Sequence, residues 1–279
     1  MSYTSIATFL HDPTRGLDTL DYAIEAARRW GAHLYVICAG IDSTDPGFYY
    51  AGAQAIAVQT NLEAAQTDAT LLEQAVQDRL AREDILWDVQ TVTMMTGGLE
   101  PFLADQLRFY DLVILPLPHA QASNMLDVTA FEACLFGADV PVLVVPEGAQ
   151  IAPAMGRVMI AWDDGAEALA AARAAAPLVE GAAVTDICLI NPPQHGIDRS
   201  DPGGRMAQML TRKGARVEVT VSAQRQYDIA SQLLSRAQET AADVLVMGGY
   251  GHSRLREAVL GGVTRTILRQ AHLPVLMAH

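Results

Sequence analysis

Two stretches of this chain follow one plan, and that duplication restricts the fold more than any other feature. Asp111-Leu-Val-Ile-Leu in the first half matches Asp243-Val-Leu-Val-Met in the second. Thirty residues after Asp111 comes Pro141-Val-Leu-Val-Val; thirty-one after Asp243 comes Pro274-Val-Leu-Met-Ala. A repeat decides which segments are equivalent, so it has to be read before any single motif. Upstream, Gly31-Ala32 ahead of the apolar run 33–38 pairs with Ala182-Ala183 ahead of 184–191. Counting back without a gap puts Asp12 opposite Asp163. The intermediate runs 87–92 and 215–221 pair as well.

Each half reads strand, helix, strand, helix, strand, helix, strand, helix, strand. Apolar runs of four to eight residues alternate with helix-length stretches such as 17–30 and 166–179. That alternation predicts parallel strands, right-handed crossovers and helices on both faces. Near-continuous apolar runs such as 112–115 and 244–247 fit strands buried on both sides. The predicted fold is α/β: two tandem doubly wound, Rossmann-like domains, each a five-stranded mostly parallel sheet flanked by helices. They span 1–147 and 156–279, joined by a Gly/Pro/Ala linker over 147–156. A length of 279 residues suits two domains. The first half carries extra chain before its third strand. Residues 42–52 hold Pro46, Gly47, Phe48, Tyr49 and Tyr50, and a helix-like stretch runs on to Glu83. A loop capping the core is favoured there over a lid or partner surface.

Charge bounds the partners. A net charge of −13 argues against nucleic acid and anionic membrane, since both need a basic surface. Against that background, His252, Arg254, Arg256, Arg265 and Arg269 stand together in one loop-helix unit, although a solvated helix face explains them equally well. Cys38, Cys134 and Cys188 sit in apolar runs without paired spacing, as small buried hydrophobes do in a reducing compartment. No basic segment opens the chain, and the apolar run 6–10 is too short for a signal core or a span. A cytoplasmic location is expected.

Near the end, the apolar run 244–247 empties into Gly248, then Gly251; after nine more residues come Gly261 and Gly262, where a helix reading Val263-Thr-Arg-Thr-Ile-Leu-Arg begins. Strand, glycine loop, glycine pair and helix start aim bare backbone N–H groups at a phosphate. The spacing Gly248-x2-Gly251-x9-Gly261 resembles the signature of the universal stress protein family, and the resemblance spans the chain as a tandem-domain member. It departs at Gly262, where the family usually carries Ser or Thr.

The resemblance implies a fold that binds adenine nucleotides, ATP foremost, or none at all. Carried residue by residue, it places Gly248, Gly251, Gly261, Gly262, Val263 and Thr264 on the phosphates, with His252 adding positive charge. Asp163 then contacts the adenosine end, with Ala161 beside it on the first strand of the second half, and the backbone near Ile190 faces adenine. Independently, ligands in open parallel sheets bind off the carboxyl ends of strands where strand order reverses, which is where Asp163 and Gly248 fall. The bland reading of Asp163, or of Asp164, is an N-cap for the helix from Ala166. Trp162 reads more readily as core than as a stacking platform. Losing the hydroxyl at 262 removes one donor, so binding is expected to be weak.

In the first half, Gly248 becomes Pro116, Gly251 becomes His119 or a neighbour, Gly261-Gly262 becomes Val128-Thr129 and Arg265 becomes Glu132. Proline offers no N–H and takes no positive φ. The first half is therefore expected to bind no triphosphate and to act as a structural partner. The last strands, near 140–145 and 273–278, are short apolar edges that would template aggregation if left bare. In the resembling family such edges pair between subunits, so an intrachain pseudo-dimer is expected, with a further homodimer left open. There is no Gly-x4-Gly-Lys-Ser/Thr loop, no Gly-x-Ser-x-Gly elbow and no His/Cys metal spacing. A stress regulator responding to nucleotide is the expected function, with slow ATP hydrolysis left open. The alternative is a nucleotide-free scaffold with a vestigial glycine loop.

Overall fold

The computed structural model describes residues 2–12, 16–42, 54–120, 123–152, 154–192, 201–223, 228–250 and 262–279, with backbone alone over 54–58. The chain divides into two compact units. One holds Tyr3–Pro116 and Met125–Val140; the other holds Leu117–Asn124 and Pro141–His279, with the two opening residues.

In the first unit, β1 (Ser5–Leu10), β2 (His33–Asp42), β3 (Trp87–Met95) and β4 (Leu112–Pro116) alternate with α1 (Gly16–Trp30), α2 (Gln54–Leu80), α3 (Leu99–Leu107) and α4 (Met125–Glu132). The strands run parallel in the order β3-β2-β1-β4. Helix α1 forms where the sequence predicts it, with Asp18 in its first turn and Arg28 and Arg29 in its last, matching the helix dipole. Helix α2 buries Ala65, Ala69, Leu72, Val76 and Leu80, a three-to-four residue spacing that makes one apolar face. Gly40 on β2 lets it approach: a Cβ there would fall 1.8 Å from the Ala65 carbonyl oxygen. The structure thus places a 27-residue helix within the expected helix-like stretch, ending at Leu80 rather than Glu83. Most of the aromatic insertion, 43–53, lies outside the described residues.

In the second unit, β6 (Arg157–Ala161), β7 (Val184–Ile190), β8 (Val217–Ser222) and β9 (Val244–Gly248) repeat the plan, with α5 (Ala166–Ala174), α6 (Ala176–Gly181), α7 (Gly204–Arg212), α8 (Ile229–Glu239) and α9 (Val263–Gln270) between strands and β10 (Val275–Ala278) last. These strands are parallel, in the order β10-β9-β6-β7-β8. Strand β5 (Val142–Val145) belongs to this unit and runs antiparallel to β10, with Val144 opposite Val275 and Leu143 opposite Leu276. All of β5 and β10 is buried. One expected helix is divided: 166–179 breaks at Ala175 into α5 and α6. Pro177 supplies no N–H and its ring collides with the carbonyl four residues back, so the helix cannot run through.

The duplication reaches individual hydrogen bonds. Asp111, just ahead of β4, accepts from the Thr4 and Ser5 amides at 2.8 and 3.0 Å and from the Thr4 hydroxyl at 2.7 Å. Asp243, just ahead of β9, accepts from the Gly156 and Arg157 amides at 2.6 and 2.8 Å. In each repeat one carboxylate ties the start of the fourth strand to the start of the first.

Candidate functional site

Strand order in the second unit reverses between β6 and β9, because β6 is followed by β7 on one side while β9 lies on the other. The crevice off their carboxyl ends is therefore where an open sheet leaves room for a ligand. A cleft of about 250 Å³ occupies that place, lined by Ala161, Trp162, Asp163, Ala168, Cys188, Ile190, Ile229, Leu233, Met247, Gly248, Val263 and Thr264. Of the expected site residues, Ala161, Asp163, Ile190, Gly248, Val263 and Thr264 are thus brought together on one cavity. Gly262 stands next to it as the residue preceding α9. Gly251, His252 and Gly261 lie outside the described residues, as do Arg254 and Arg256.

Local geometry at the strand ends is unusual. Asp164 after β6, Asn191 after β7 and Tyr250 after β9 all adopt left-handed φ, at 65°, 51° and 57°. Each such residue with a Cβ costs about 1–2 kcal/mol, and strain of this kind collects at ligand sites. At the first of these turns, Asp163 Oδ1 accepts the Gly165 amide at 2.9 Å. Gly165 itself is the residue that caps α5, with no side-chain cap, so neither aspartate takes the N-cap role. The other oxygen of Asp163 carries no hydrogen bond among the described residues and is available to hydroxyl or amino donors.

The remaining walls are mostly apolar. Burial, helped by the nearby Asp186, pushes the Cys188 thiol up to about 11, so it lines the cleft as a neutral, weakly polar surface. Gly248 has a second task beside lining the cavity. A Cβ at 248 would lie 2.6 Å from the Ala168 amide nitrogen and 2.8 Å from the Glu167 carbonyl carbon, so the missing side chain is what lets α5 seat against β9. Opposite, α9 opens on Gly262 without a side-chain cap, leaving the amides of its first turn without intrahelical acceptors. Thr264, buried at 3% exposure, lines the cleft there, and its hydroxyl oxygen accepts the Tyr250 amide at 3.4 Å.

The corresponding place in the first unit is much tighter among the described residues. At the ends of β1 and β4 the cavity shrinks to about 20 Å³, room for a single water, between Leu10, His11, Asp12, Gly16, Pro116 and Asp127. His11 Nε2 contacts Asp127 Oδ1 at 2.8 Å across it. Helix α4 already runs through Val128 and Thr129, the counterparts of Gly261 and Gly262, and the Thr129 hydroxyl turns back onto the Met125 carbonyl at 3.0 Å.

His119, a first-half residue without local signal, belongs to the second unit. Burial lowers its basicity, and Arg265 and Arg269 on α9 lower it further, so its imidazole is held neutral near pH 7. Among the described residues no group of His, Cys, Asp and Glu is placed to hold a metal ion, and no helix is long and apolar enough to cross a membrane.

A parallel sheet with its cavity at the reversal of strand order, flanked by a helix N-terminus and a strand-end carboxylate, defines a doubly wound α/β domain. The model of the universal stress protein family matches residues 155–279. Universal stress protein Slr1230 from Synechocystis sp. (strain ATCC 27184 / PCC 6803 / Kazusa) is 36% identical over 74 residues, which cover 26% of this chain and about a quarter (24%) of that protein. In three dimensions, a universal stress protein from Archaeoglobus fulgidus DSM 4304 is similar with a TM-score of 0.67 at 14% identity, over 99% of this chain and 96% of its own. A putative universal stress protein from Pseudomonas aeruginosa UCBPP-PA14 follows with a TM-score of 0.54 at 16% identity, over 98% and 92%. Those two likenesses speak for the fold. The family match thus falls on the C-terminal half of the chain, the half that holds this cleft.

Proposed function

We propose that the second repeat binds an adenine nucleotide, ATP foremost, in the cleft between β6 and β9, and that the chain is a stress-response regulator whose surface or partner changes with the ligand. One contrast carries this reading: the cleft measures about 250 Å³ in the second repeat against about 20 Å³ at the corresponding place in the first. The apolar wall of Ile190, Leu233 and Met247 suits the face of a purine, and the Asp163 oxygen without a hydrogen bond among the described residues suits ribose hydroxyls or an exocyclic amine. The first-turn amides of α9, which have no intrahelical acceptors, suit phosphate oxygens. With glycine at 262 one hydroxyl donor is missing, worth about 1–3 kcal/mol if it would otherwise bond, so the expected affinity is micromolar or weaker.

The role is binding rather than catalysis. Buried, free Cys38, Cys134 and Cys188 fit a reducing cytoplasm. Mass spectrometry of small molecules released from purified protein, followed by titration with ATP and AMP, tests the reading. Bound or titratable adenine nucleotide is expected. Absence of binding at millimolar ligand overturns it and leaves the nucleotide-free scaffold.

A further inference from the structure

The peptide that joins Gly249 to Tyr250 is held at both polar ends. His279 Nδ1 lies 3.0 Å from the Gly249 carbonyl oxygen, and the Tyr250 amide donates to Thr264 Oγ1 at 3.4 Å. Just before it, the Gly249 amide donates to the Ala278 carbonyl at 2.9 Å, which carries the β9–β10 ladder one step past its last pair, Ala278 opposite Gly248. A carbonyl only accepts, so His279 donates and its Nδ1 carries the proton. Tyr250 sits at φ 57°, a conformation that a residue with a side chain keeps only when its surroundings hold it. Thr264, whose oxygen receives the Tyr250 amide, lines the cleft, and a hydroxyl that accepts one bond still has one proton to donate.

From this arrangement we propose that His279 is a positioning residue for the phosphate end of the cleft: by fixing the Gly249–Tyr250 peptide plane it orients the Thr264 hydroxyl toward an anionic ligand oxygen. The inference rests on the nucleotide reading above. Its chemistry predicts which replacement succeeds. Asparagine carries an amide nitrogen the same number of bonds from Cα as the histidine Nδ1 and can donate to the same carbonyl; leucine fills similar space and donates nothing.

The experiment compares His279→Leu, His279→Asn and Thr264→Val with the wild-type full chain, using adenosine and ATP as probes and NMR exchange of the Tyr250 amide in ligand-free protein. His279→Leu should weaken ATP about tenfold, the worth of one well-placed hydrogen bond. It should leave adenosine affinity unchanged and speed Tyr250 exchange. His279→Asn should restore both, and Thr264→Val should reproduce the ATP-selective loss from the other end of the peptide. Equal ATP affinity in His279→Leu and wild type, parallel loss of adenosine and ATP, or unaltered Tyr250 exchange overturns the inference while leaving nucleotide binding intact. Wild-type protein that binds neither probe overturns the nucleotide reading and this inference together.

Discussion

His11 and Asp127 meet at 2.8 Å with both side chains more than nine-tenths buried, one from the end of β1 and the other from the first turn of α4. The pair spans the place that stands open in the second repeat. Phe9 packs against the His11 ring at 5.6 Å between centroids, so the imidazole is held by an aromatic neighbour as well as by the carboxylate. Asp127→Ala strands a buried imidazole nitrogen and should cost about 1–3 kcal/mol of stability. Denaturant unfolding checks this, and a variant as stable as wild type would show that the contact contributes nothing.

The carboxylate of Asp111 yields a pH prediction. Burial alone would raise its pKa, but the bonds from Thr4 and Ser5 outweigh burial and hold it below the usual carboxylate range. Since the folded value lies below the unfolded one, the contribution is complete above the unfolded pKa of about 4 and fades as pH falls through the folded value. Asp111 is solvent-exposed in part, so the loss in Asp111→Asn should be modest, about 1 kcal/mol at pH 7. Melting curves at pH 7 and near pH 3 should show the gap to wild type narrowing in acid.

Cys188 offers a direct probe of the cleft. With its thiol pushed up to about 11 by burial and Asp186, alkylation should be slow at pH 7 and accelerate only in strong alkali. Added ATP should slow it further, because the thiol lines the cavity. Peptide mass spectrometry after iodoacetamide treatment reads both effects. Rapid modification at neutral pH would contradict the described burial.

His119 should titrate below the ordinary histidine value, since burial and the two arginines of α9 disfavour its charged form. Replacing Arg265 and Arg269 with alanine should move its NMR titration midpoint upward. An unmoved midpoint would separate His119 from that helix.

Much of the architecture was readable because buried parallel strands leave continuous apolar runs, and two halves with matching landmarks confirm each other. Asp111 and Asp243 served as landmarks, but nothing local revealed that their carboxylates reach the first strand. The helix over 166–179 misled because its apolar spacing is regular while Pro177 breaks it. Gly248 looked like a phosphate-facing glycine; its missing Cβ also answers to α5 packing, a contact with no sequence signature. The cap of α5 fell to Gly165, since Asp163 folds back onto its amide instead. His11 and Asp127 lie 116 residues apart, so only the tertiary fold could pair them. The proline at 116 signalled a changed first repeat, yet it is this buried pair, together with the early start of α4, that fills it.

Binding stoichiometry tests the difference between the repeats most directly. Calorimetric titration of the full chain with ATP should give one site per chain, and Ala161→Phe, which places a ring in the cleft, should abolish it. Two sites per chain, or a single site that survives Ala161→Phe, would contradict the account.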